Sequence, residues 1–373
     1  MLSKKNSIIV GCLFAVTLMT AQTYPAAYPQ TEISNGMLRA KVYLPDREKG
    51  FYRGMRFDWA GVMASLEYNG HGYFGPFFEK FDLAVSDVEI GNPVVAGIAS
   101  AASGPVEEFI GADESALGYA EAKPGETFCK IGVGALRKID NAPYSSYVNY
   151  AIVNGGKRSV KSGPDSVEFT QQLDCASGYG YEYTKTIRLL KNEPVMTIEH
   201  HLVNTGAKTI ETEVYDHNFL IIDHQGAGPA IEITFPFAPK PTKTLDPLAE
   251  VRGKPLVFPK DLKGKDTFYG EFQGFGKTAR DYKIRVENKS TGAGVVVTCD
   301  QELANLGVWA VRTVVAPEPY TRSRFPQAEI FRGNTPIPFT LQSMAAINKP
   351  RGSTVFFPNR VALYAVASYL GFS

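Results

Sequence analysis

The sequence contains few residues of the kinds that bind metals. Its 373 residues include only four cysteines and five histidines. Cys129, Cys175 and Cys299 lie far apart, which excludes the close ligand spacing of a zinc site. No glycine-rich phosphate loop or serine nucleophile elbow is present, so we expect neither a metal nor a cofactor. Three cysteines can form at most one disulfide, with one thiol left over. We favour the alternative that all three are small, buried hydrophobic side chains.

The sequence also lacks an excess of either charge. Lysine and arginine number 39 against 38 aspartates and glutamates, and so balanced a surface does not favour nucleic acid or an anionic membrane. After the N-terminal region no apolar run is long enough to span a bilayer, so membrane insertion is not expected. The oligomeric state is left open by the composition.

The N-terminus has the pattern of a secretory signal peptide. Basic Lys4 and Lys5 precede an apolar run at residues 8–21, and we expect cleavage near the end of that run. Residues 9–12 resemble a lipobox, but the apolar segment before Cys12 is too short for lipidation. The expected location of the protein is therefore periplasmic or extracellular.

The rest of the chain has the pattern of short strands rather than helices. Residues 38–44 alternate between apolar and polar side chains, and residues 61–68 form a similar run before Asn69-Gly70, a type I′ hairpin signal. Residues 84–127 favour loops and short strands. Many short strands separated by turns predict an all-β sandwich or barrel. The predicted organisation is a signal peptide at residues 1–21, a linker or ordering tail at 22–36, and one domain at 37–373.

Four of the five histidines lie within residues 194–225. We predict a strand, a turn at residues 204–207 and a returning strand, which together form a hairpin. His200 falls on an apolar face and is interpreted as a core residue. His217 falls where the returning strand should end, beside polar and aromatic residues, and an imidazole there exchanges protons near neutral pH. A structural His217 bonded to Asp216 is the alternative.

Two further stretches contain candidate site residues. At residues 313–320 an apolar strand is predicted to end at Glu318, which prolines on both sides hold in place; a solvated loop carboxylate is the alternative. At residues 51–59, Arg56 and Asp58 lie among aromatic side chains. Such a set binds sugar hydroxyls and ring faces, or else forms a surface hairpin with charge pairs.

The run Asn204-Thr205-Gly206, followed by Tyr-Asp-His-Asn-Phe at residues 215–219, resembles a segment of galactose mutarotase-like proteins, the aldose 1-epimerases and their relatives. The resemblance implies a large antiparallel β-supersandwich, with His217 as catalytic acid and Glu318 as catalytic base. The family also has an upstream histidine before an arginine. The corresponding stretch here, residues 132–137, keeps Arg137 and has no histidine.

The function expected from this resemblance is that of an exported aldose 1-epimerase-like isomerase acting on a mono- or oligosaccharide. A non-catalytic carbohydrate-binding protein on the same fold is the alternative, and a polysaccharide lyase or hydrolase is a third, less favoured. The candidate substrate-binding residues are Arg56, Asp58, Arg137, Asp216, Asn218 and Tyr320.

Overall fold

The computed structural model describes residues 28–111, 113–325 and 355–365, with residues 324–325 and 355–365 described as backbone. The predicted signal peptide and a strand predicted at residues 339–346 lie outside this part. In chain order the strands are β1 (Gln30–Ser34), β2 (Leu38–Tyr43), β3 (Met63–Tyr68), β4 (His71–Phe74), β5 (Lys80–Phe81), β6 (Val88–Glu89), β7 (Val95–Ala96), β8 (Gly104–Gly111), β9 (Thr127–Lys130), β10 (Gly134–Arg137), β11 (Ile152–Asn154), β12 (Lys157–Ser162) and β13 (Ser166–Asp174). They continue with β14 (Gly180–Leu189), β15 (Val195–Asn204), β16 (Ile210–Phe219), β17 (Ile231–Thr234), β18 (Lys240–Pro241), β19 (Glu250–Val251), β20 (Pro255–Val257), β21 (Thr267–Gln273), β22 (Lys283–Asn288), β23 (Ala293–Cys299), β24 (Asn305–Val311), β25 (Val314–Phe325) and β26 (Val355–Ala365).

Two large sheets form the body of the fold. One has six strands in the order β18-β21-β24-β25-β16-β8, and the other has ten in the order β12-β13-β14-β15-β26-β23-β22-β17-β20-β19. Three small sheets accompany them: β1-β2-β3-β4, β11-β10-β9 and β5-β7-β6. Strand pairing is antiparallel throughout the described residues except between β5 and β7. The only helices in this part are two single 3-10 turns, at Ile222–His224 and Ala279–Asp281, so the predicted all-β class is confirmed.

The turn between β3 and β4 forms as the sequence predicts. Asn69 and Gly70 have φ angles of 49° and 80°, and a type I′ turn needs positive φ at both central residues. The turn joins two antiparallel strands in the same small sheet.

The hairpin predicted between β15 and β16 is wrong. Strand β15 pairs with β14 and β26, whereas β16 pairs with β8 and β25 in the other large sheet. The turn chemistry itself is present, because the Asn204 amide donates to the Lys208 carbonyl at 2.8 Å and accepts from Gly206 N–H at 3.0 Å. This turn carries the chain from one sheet to the other, so that both strands bury apolar side chains.

The principal hydrophobic core lies between the two large sheets. Ile198 and Val286 from the ten-stranded sheet belong to the same buried cluster as Phe268, Val308 and Val315 from the six-stranded sheet. No helix in the described residues has the length and apolar character needed to cross a membrane.

A disulfide joins Cys129 in β9 to Cys175 after β13, with the Cα atoms 6.5 Å apart. Cys299 is free and buried. The favoured interpretation of three free buried thiols is therefore wrong for the first two cysteines and holds for Cys299. Sequence spacing did not indicate this pair, since 46 residues separate its members.

Candidate active site

Two prolines interrupt the hydrogen bonding between β16 and β25, the two strands that contain the candidate catalytic residues. Strand β25 continues through Pro317 and Pro319 to Phe325 instead of ending at Glu318, and His217 likewise lies inside β16. Pairing of β16 with β25 is regular as far as Tyr215 and Tyr320, and an isolated bridge resumes it at Leu220 and Val315. Prolines have no N–H to donate, so the ladder between these points is interrupted.

The register on both sides of this gap places His217 opposite Glu318. Residues directly opposite one another in antiparallel strands share a face of the sheet. Accordingly, His217 Nε2 lies 3.2 Å from Glu318 Oε1, and the side chains are only 5% and 4% exposed. The Asn218 amide donates to the Pro317 carbonyl at 3.1 Å, which ties the two strands together where the ladder is open.

Aromatic rings enclose the imidazole of His217. Phe219 stacks on it with ring centroids 3.7 Å apart, and Phe57 and Trp309 meet it edge-on at 5.8 and 5.6 Å. Burial and the positive charge of Arg56 lower the pKa of His217 well below its ordinary value. Burial raises the pKa of Glu318 to about 8, although Arg56 and a hydrogen bond with Tyr215 act to lower it. The pair is therefore neutral overall and holds one proton near neutral pH.

A buried chain of charges positions Arg56 beside this pair. Arg56 Nε donates to Glu108 Oε2 at 3.0 Å, and Lys130 Nζ donates to Glu108 Oε1 at 2.9 Å. Burial alone would raise the pKa of Glu108, but Lys130 and Arg56 hold it below its ordinary value. The guanidinium also lies 3.8 Å from Asp87 and 4.6 Å from the centre of the Phe57 ring.

A cavity of about 230 Å³ opens onto the pair. Its lining combines charged and polar side chains with aromatic rings, and such a mixture can contact both the hydroxyls and the C–H faces of a sugar ring. The other lining residues are Phe77, Asp87, Val88, Ser100, Tyr147, Tyr215, Phe219, Tyr269, Trp309 and Tyr320, in addition to Arg56, His217 and Glu318.

The chain is similar in structure to galactose mutarotase-like proteins. An aldose epimerase homologue from C. elegans is 13% identical with a TM-score of 0.48, and the match covers 91% of this chain and 100% of that one. A galactose mutarotase related enzyme from Lactobacillus acidophilus is 10% identical with a TM-score of 0.47, covering 92% and 100%. A galactose mutarotase-like protein from Clostridium acetobutylicum is 10% identical with a TM-score of 0.46, covering 90% and 95%. The chain matches no protein-family model and no curated protein.

Of the predicted site residues, the structure brings together His217, Glu318, Arg56 and Tyr320 in the cavity. Asp216 and Asn218 do not line it, because alternation along β16 places them on the opposite face from His217. Asp216 is buried and accepts a hydrogen bond from Tyr282.

Asp58 and Arg137 also lie outside the cavity, contrary to prediction. Asp58 is buried, accepting from Ala60 N–H at 2.9 Å and from the Tyr183 hydroxyl at 2.9 Å. Arg137 is exposed on β10 and donates to the Gly125 carbonyl at 2.8 Å. Neither side chain is placed to bind a ligand next to Glu318.

A second polar cluster, which includes Asp58, lies between the two large sheets. Glu107 pairs with Lys185 and lies 3.3 Å from His200 Nε2. The Tyr183 hydroxyl lies 2.9 Å from both Asp58 Oδ2 and His200 Nδ1, which closes a ring of contacts between the sheets. His200 is thus a core residue, as predicted, and its partners are polar.

Among the site residues that the sequence did not single out are Glu108, Lys130, Tyr147 and Tyr215. Glu108 lies in β8, inside the stretch expected to form loops and short strands, and it pairs in register with Tyr215 on β16. The eight residues of β8 form a full strand in spite of Gly104-Pro105 and two glutamates, and seven of them are buried. Two consecutive glutamates in a buried strand were the available signal.

Proposed function

We propose that the protein catalyses ring opening and closure of a neutral aldose, as an aldose 1-epimerase does, with His217 and Glu318 as its acid/base pair. The observation that carries the proposal is the contact between these two buried side chains in a cavity of sugar size. Ring opening removes a proton from the anomeric hydroxyl and adds one to the ring oxygen, while the bond from C1 to the ring oxygen breaks and a C1 carbonyl forms.

A pair that holds a single proton meets both requirements. That proton lies on Glu318 at rest, because the pKa of Glu318 is raised and that of His217 is lowered. Its transfer to His217 leaves Glu318 as the carboxylate that accepts the hydroxyl proton and makes His217 the acid that protonates the ring oxygen. Both sugar oxygens are bonded to C1, so they lie close enough together for adjacent groups to serve them. Each positioned acid or base contributes typically about 10²- to 10⁴-fold to the rate.

The charges around Arg56 favour an uncharged sugar. Arg56 already faces the carboxylates of Glu108 and Asp87, so its positive charge is compensated before a ligand binds. A sugar phosphate or uronate would bring a negative charge that Arg56, already paired, does not balance, and burying an unbalanced charge is costly. Arg56 N–H groups are thus hydroxyl donors in the proposed complex.

We also infer that the protein is exported to the periplasm or the extracellular space. The signal-peptide pattern at residues 1–21 supports this location. The disulfide between Cys129 and Cys175 agrees with it, because disulfides persist in oxidising compartments. Fractionation of cells that express the full chain, followed by mass spectrometry of the mature N-terminus, tests the assignment; a cytoplasmic protein with Met1 or Leu2 at its start contradicts it.

Polarimetry tests the catalytic proposal. Freshly dissolved α-D-glucose and α-D-galactose are followed with purified protein, beside Glu318→Gln and a control, Glu67→Gln, at an exposed strand position. Accelerated mutarotation that is lost in Glu318→Gln and kept in Glu67→Gln is the expected result. Full activity of a folded Glu318→Gln protein would contradict the assigned role.

A second candidate function is carbohydrate binding without catalysis. The direct 3.2 Å contact between His217 and Glu318 favours it, because the two groups bond to each other instead of facing one another across the cavity. This candidate predicts saturable sugar binding by titration calorimetry with no change in mutarotation rate. Absence of binding to any mono- or oligosaccharide would eliminate it.

A further inference from the structure

An exposed aromatic side chain lies at the mouth of the cavity on strand β21. Tyr269 is 49% exposed, and its outward neighbours along the strand are the polar residues Thr267, Glu271 and Gln273. The core-facing side of the strand is supplied instead by Phe268 and Phe272, which are fully buried. The ring of Tyr269 is therefore not required for packing of the core, yet it lines the cavity.

A second exposed tyrosine reaches the same mouth from the segment between β10 and β11. Tyr144 and Tyr150 of this segment stack on each other with parallel rings 6.0 Å apart. Tyr147, by contrast, is 39% exposed and lies over the Arg56 guanidinium at 5.0 Å. Of these three tyrosines, Tyr147 is therefore the one whose ring faces the cavity, whereas Tyr144 and Tyr150 pack against each other.

The two exposed rings are close to the reacting pair. Both rings line the cavity that also contains His217 and Glu318, and burial, together with the nearby carboxyl group of Glu318, raises the pKa of each tyrosine. The cavity volume of about 230 Å³ is below the range of about 300–1,000 Å³ typical of drug-sized ligands. A cavity of this size suits one sugar ring, and a second ring attached to it would contact the exposed lining residues Tyr147 and Tyr269.

We propose that Tyr147 and Tyr269 form a second sugar subsite, so that the substrate is the reducing-end ring of a neutral di- or oligosaccharide. The inference rests on the proposed function, since the first subsite is the cavity around His217 and Glu318. Exposed aromatic rings bind the C–H faces of sugars, and the Tyr269 hydroxyl, which donates to Glu271 Oε1 at 3.2 Å, remains an acceptor for a sugar hydroxyl at the wet edge. The penultimate ring packs against Tyr269 while the reducing-end ring reaches the acid/base pair.

Matched sugars isolate the contribution of the second ring. Cellobiose and lactose carry glucose at the reducing end, and a β-1,4-linked galactobiose carries galactose, so glucose and galactose are their monosaccharide controls. The ratio of kcat/KM for each disaccharide to that for its monosaccharide is measured by polarimetry. We expect at least one ratio above about 5 in the wild-type protein, which corresponds to the free energy of one additional ring contact.

The variants Tyr269→Ala and Tyr269→Phe test the assignment to this ring. Tyr269→Ala is expected to bring the ratio close to one, and Tyr269→Phe is expected to retain most of it because the ring face remains. Met37→Ala removes an exposed side chain, 41% accessible, in the turn between β1 and β2 and serves as the control. Unchanged ratios in Tyr269→Ala would overturn the subsite.

The outcomes separate this inference from the proposed function. If the protein accelerates mutarotation of monosaccharides but the disaccharide-to-monosaccharide ratios of kcat/KM are near one, the subsite is overturned and the proposed function stands. No acceleration of any sugar overturns the function; titration calorimetry with the same disaccharides then supports the subsite if Tyr269→Ala weakens binding about fivefold or more. No binding of any disaccharide overturns both.

Discussion

Gly307 lies directly opposite Glu318 in the pairing of β24 with β25. A Cβ atom at position 307 would lie 3.0 Å from Glu318 Oε2 and 3.4 Å from Glu318 Cβ. The absence of a side chain on the neighbouring strand therefore provides the space in which the carboxyl group lies. The φ angle of Gly307 is not in the left-handed region. The close approach of the Glu318 side chain, and not the backbone conformation, is therefore the reason for glycine at this position.

Replacing Gly307 with alanine is expected to displace the carboxyl group of Glu318 and to lower kcat/KM for mutarotation by about tenfold or more, because misplaced catalytic groups lose much of their effect. The overall fold should survive, at a cost of about 1 to 3 kcal/mol for overpacking. Polarimetry and urea denaturation measure the two effects. Gly155→Ala is the matched control, because no atom lies within 4 Å of the added Cβ; equal losses in both variants would contradict the explanation.

The pH dependence of kcat/KM should follow the single proton held by the pair. Because burial raises the pKa of Glu318 to about 8, the rate should fall above about pH 8, where this proton is lost. Because burial and Arg56 lower the pKa of His217, the rate should stay flat from about pH 8 down to below about pH 6.5. A rate that rises steadily between about pH 4 and 7 would indicate an ordinary carboxylate and imidazole instead.

Stability should also depend on pH through Glu318. Its pKa in the folded protein, about 8, exceeds the ordinary value of 4.5, so its contribution to stability is fully present below about pH 4.5 and is lost as the pH rises through about 8. Glu318→Gln cannot ionise and does not lose this contribution. We expect the variant to gain free energy of unfolding over wild type as pH rises from about 5 to 8, as measured by urea denaturation at each pH. A difference that is constant with pH would exclude the raised pKa.

Lys130→Met should destabilise the protein by about 3 to 5 kcal/mol, since it removes one partner of a buried charge pair. Lys130 is 1% exposed and its ammonium group donates to Glu108. Adding Glu108→Gln in the double variant should recover part of this loss, because the remaining buried charge is then neutralised. Strictly additive losses in chemical denaturation would show that the two side chains do not interact.

Loss of the disulfide should lower the free energy of unfolding by about 4 kcal/mol, the chain-entropy value for a loop of this length. Cys129 and Cys175, which close the loop, are 46 positions apart in the sequence. The comparison is between oxidised wild type, reduced wild type and Cys129→Ser/Cys175→Ser in urea denaturation. Cys299→Ala tests specificity, because this buried thiol is free and its loss should not reproduce the effect.

Local patterns in the sequence were enough to predict the class of fold, and they pointed to His217 and Glu318, whose side chains lie in contact in the structure. Alternating residues gave β2 and β3, and Asn69-Gly70 gave the turn after β3, because such signals depend on a few neighbouring residues. The order of His217 and Glu318 along the chain indicated a shared site. Their contact depends on the register of β16 with β25, which both flanking pairs determine.

The errors arose where distant parts of the chain decide the structure. Asp216 and Asn218 were assigned to the site with His217 because they are adjacent in sequence, although a strand turns alternate side chains to opposite faces. The turn after Asn204 has hairpin chemistry, and only the pairing partners of β15 and β16 show that it changes sheets. The prolines around Glu318 suggested the end of a strand, whereas the strand continues because β24 pairs with it through both prolines.

Along β16 the side chains of five consecutive residues alternate between the cavity and the buried inner face of the sheet. Tyr215, His217 and Phe219 line the cavity, while Asp216 and Asn218 are buried on the inner face. Substitutions at the first set alter the lining of the cavity, and substitutions at the second alter the contacts of β16 with Tyr282 and Pro317. The lining of the cavity can therefore change during evolution, or in a directed library, at alternate positions of one strand while the positions between them stay constant.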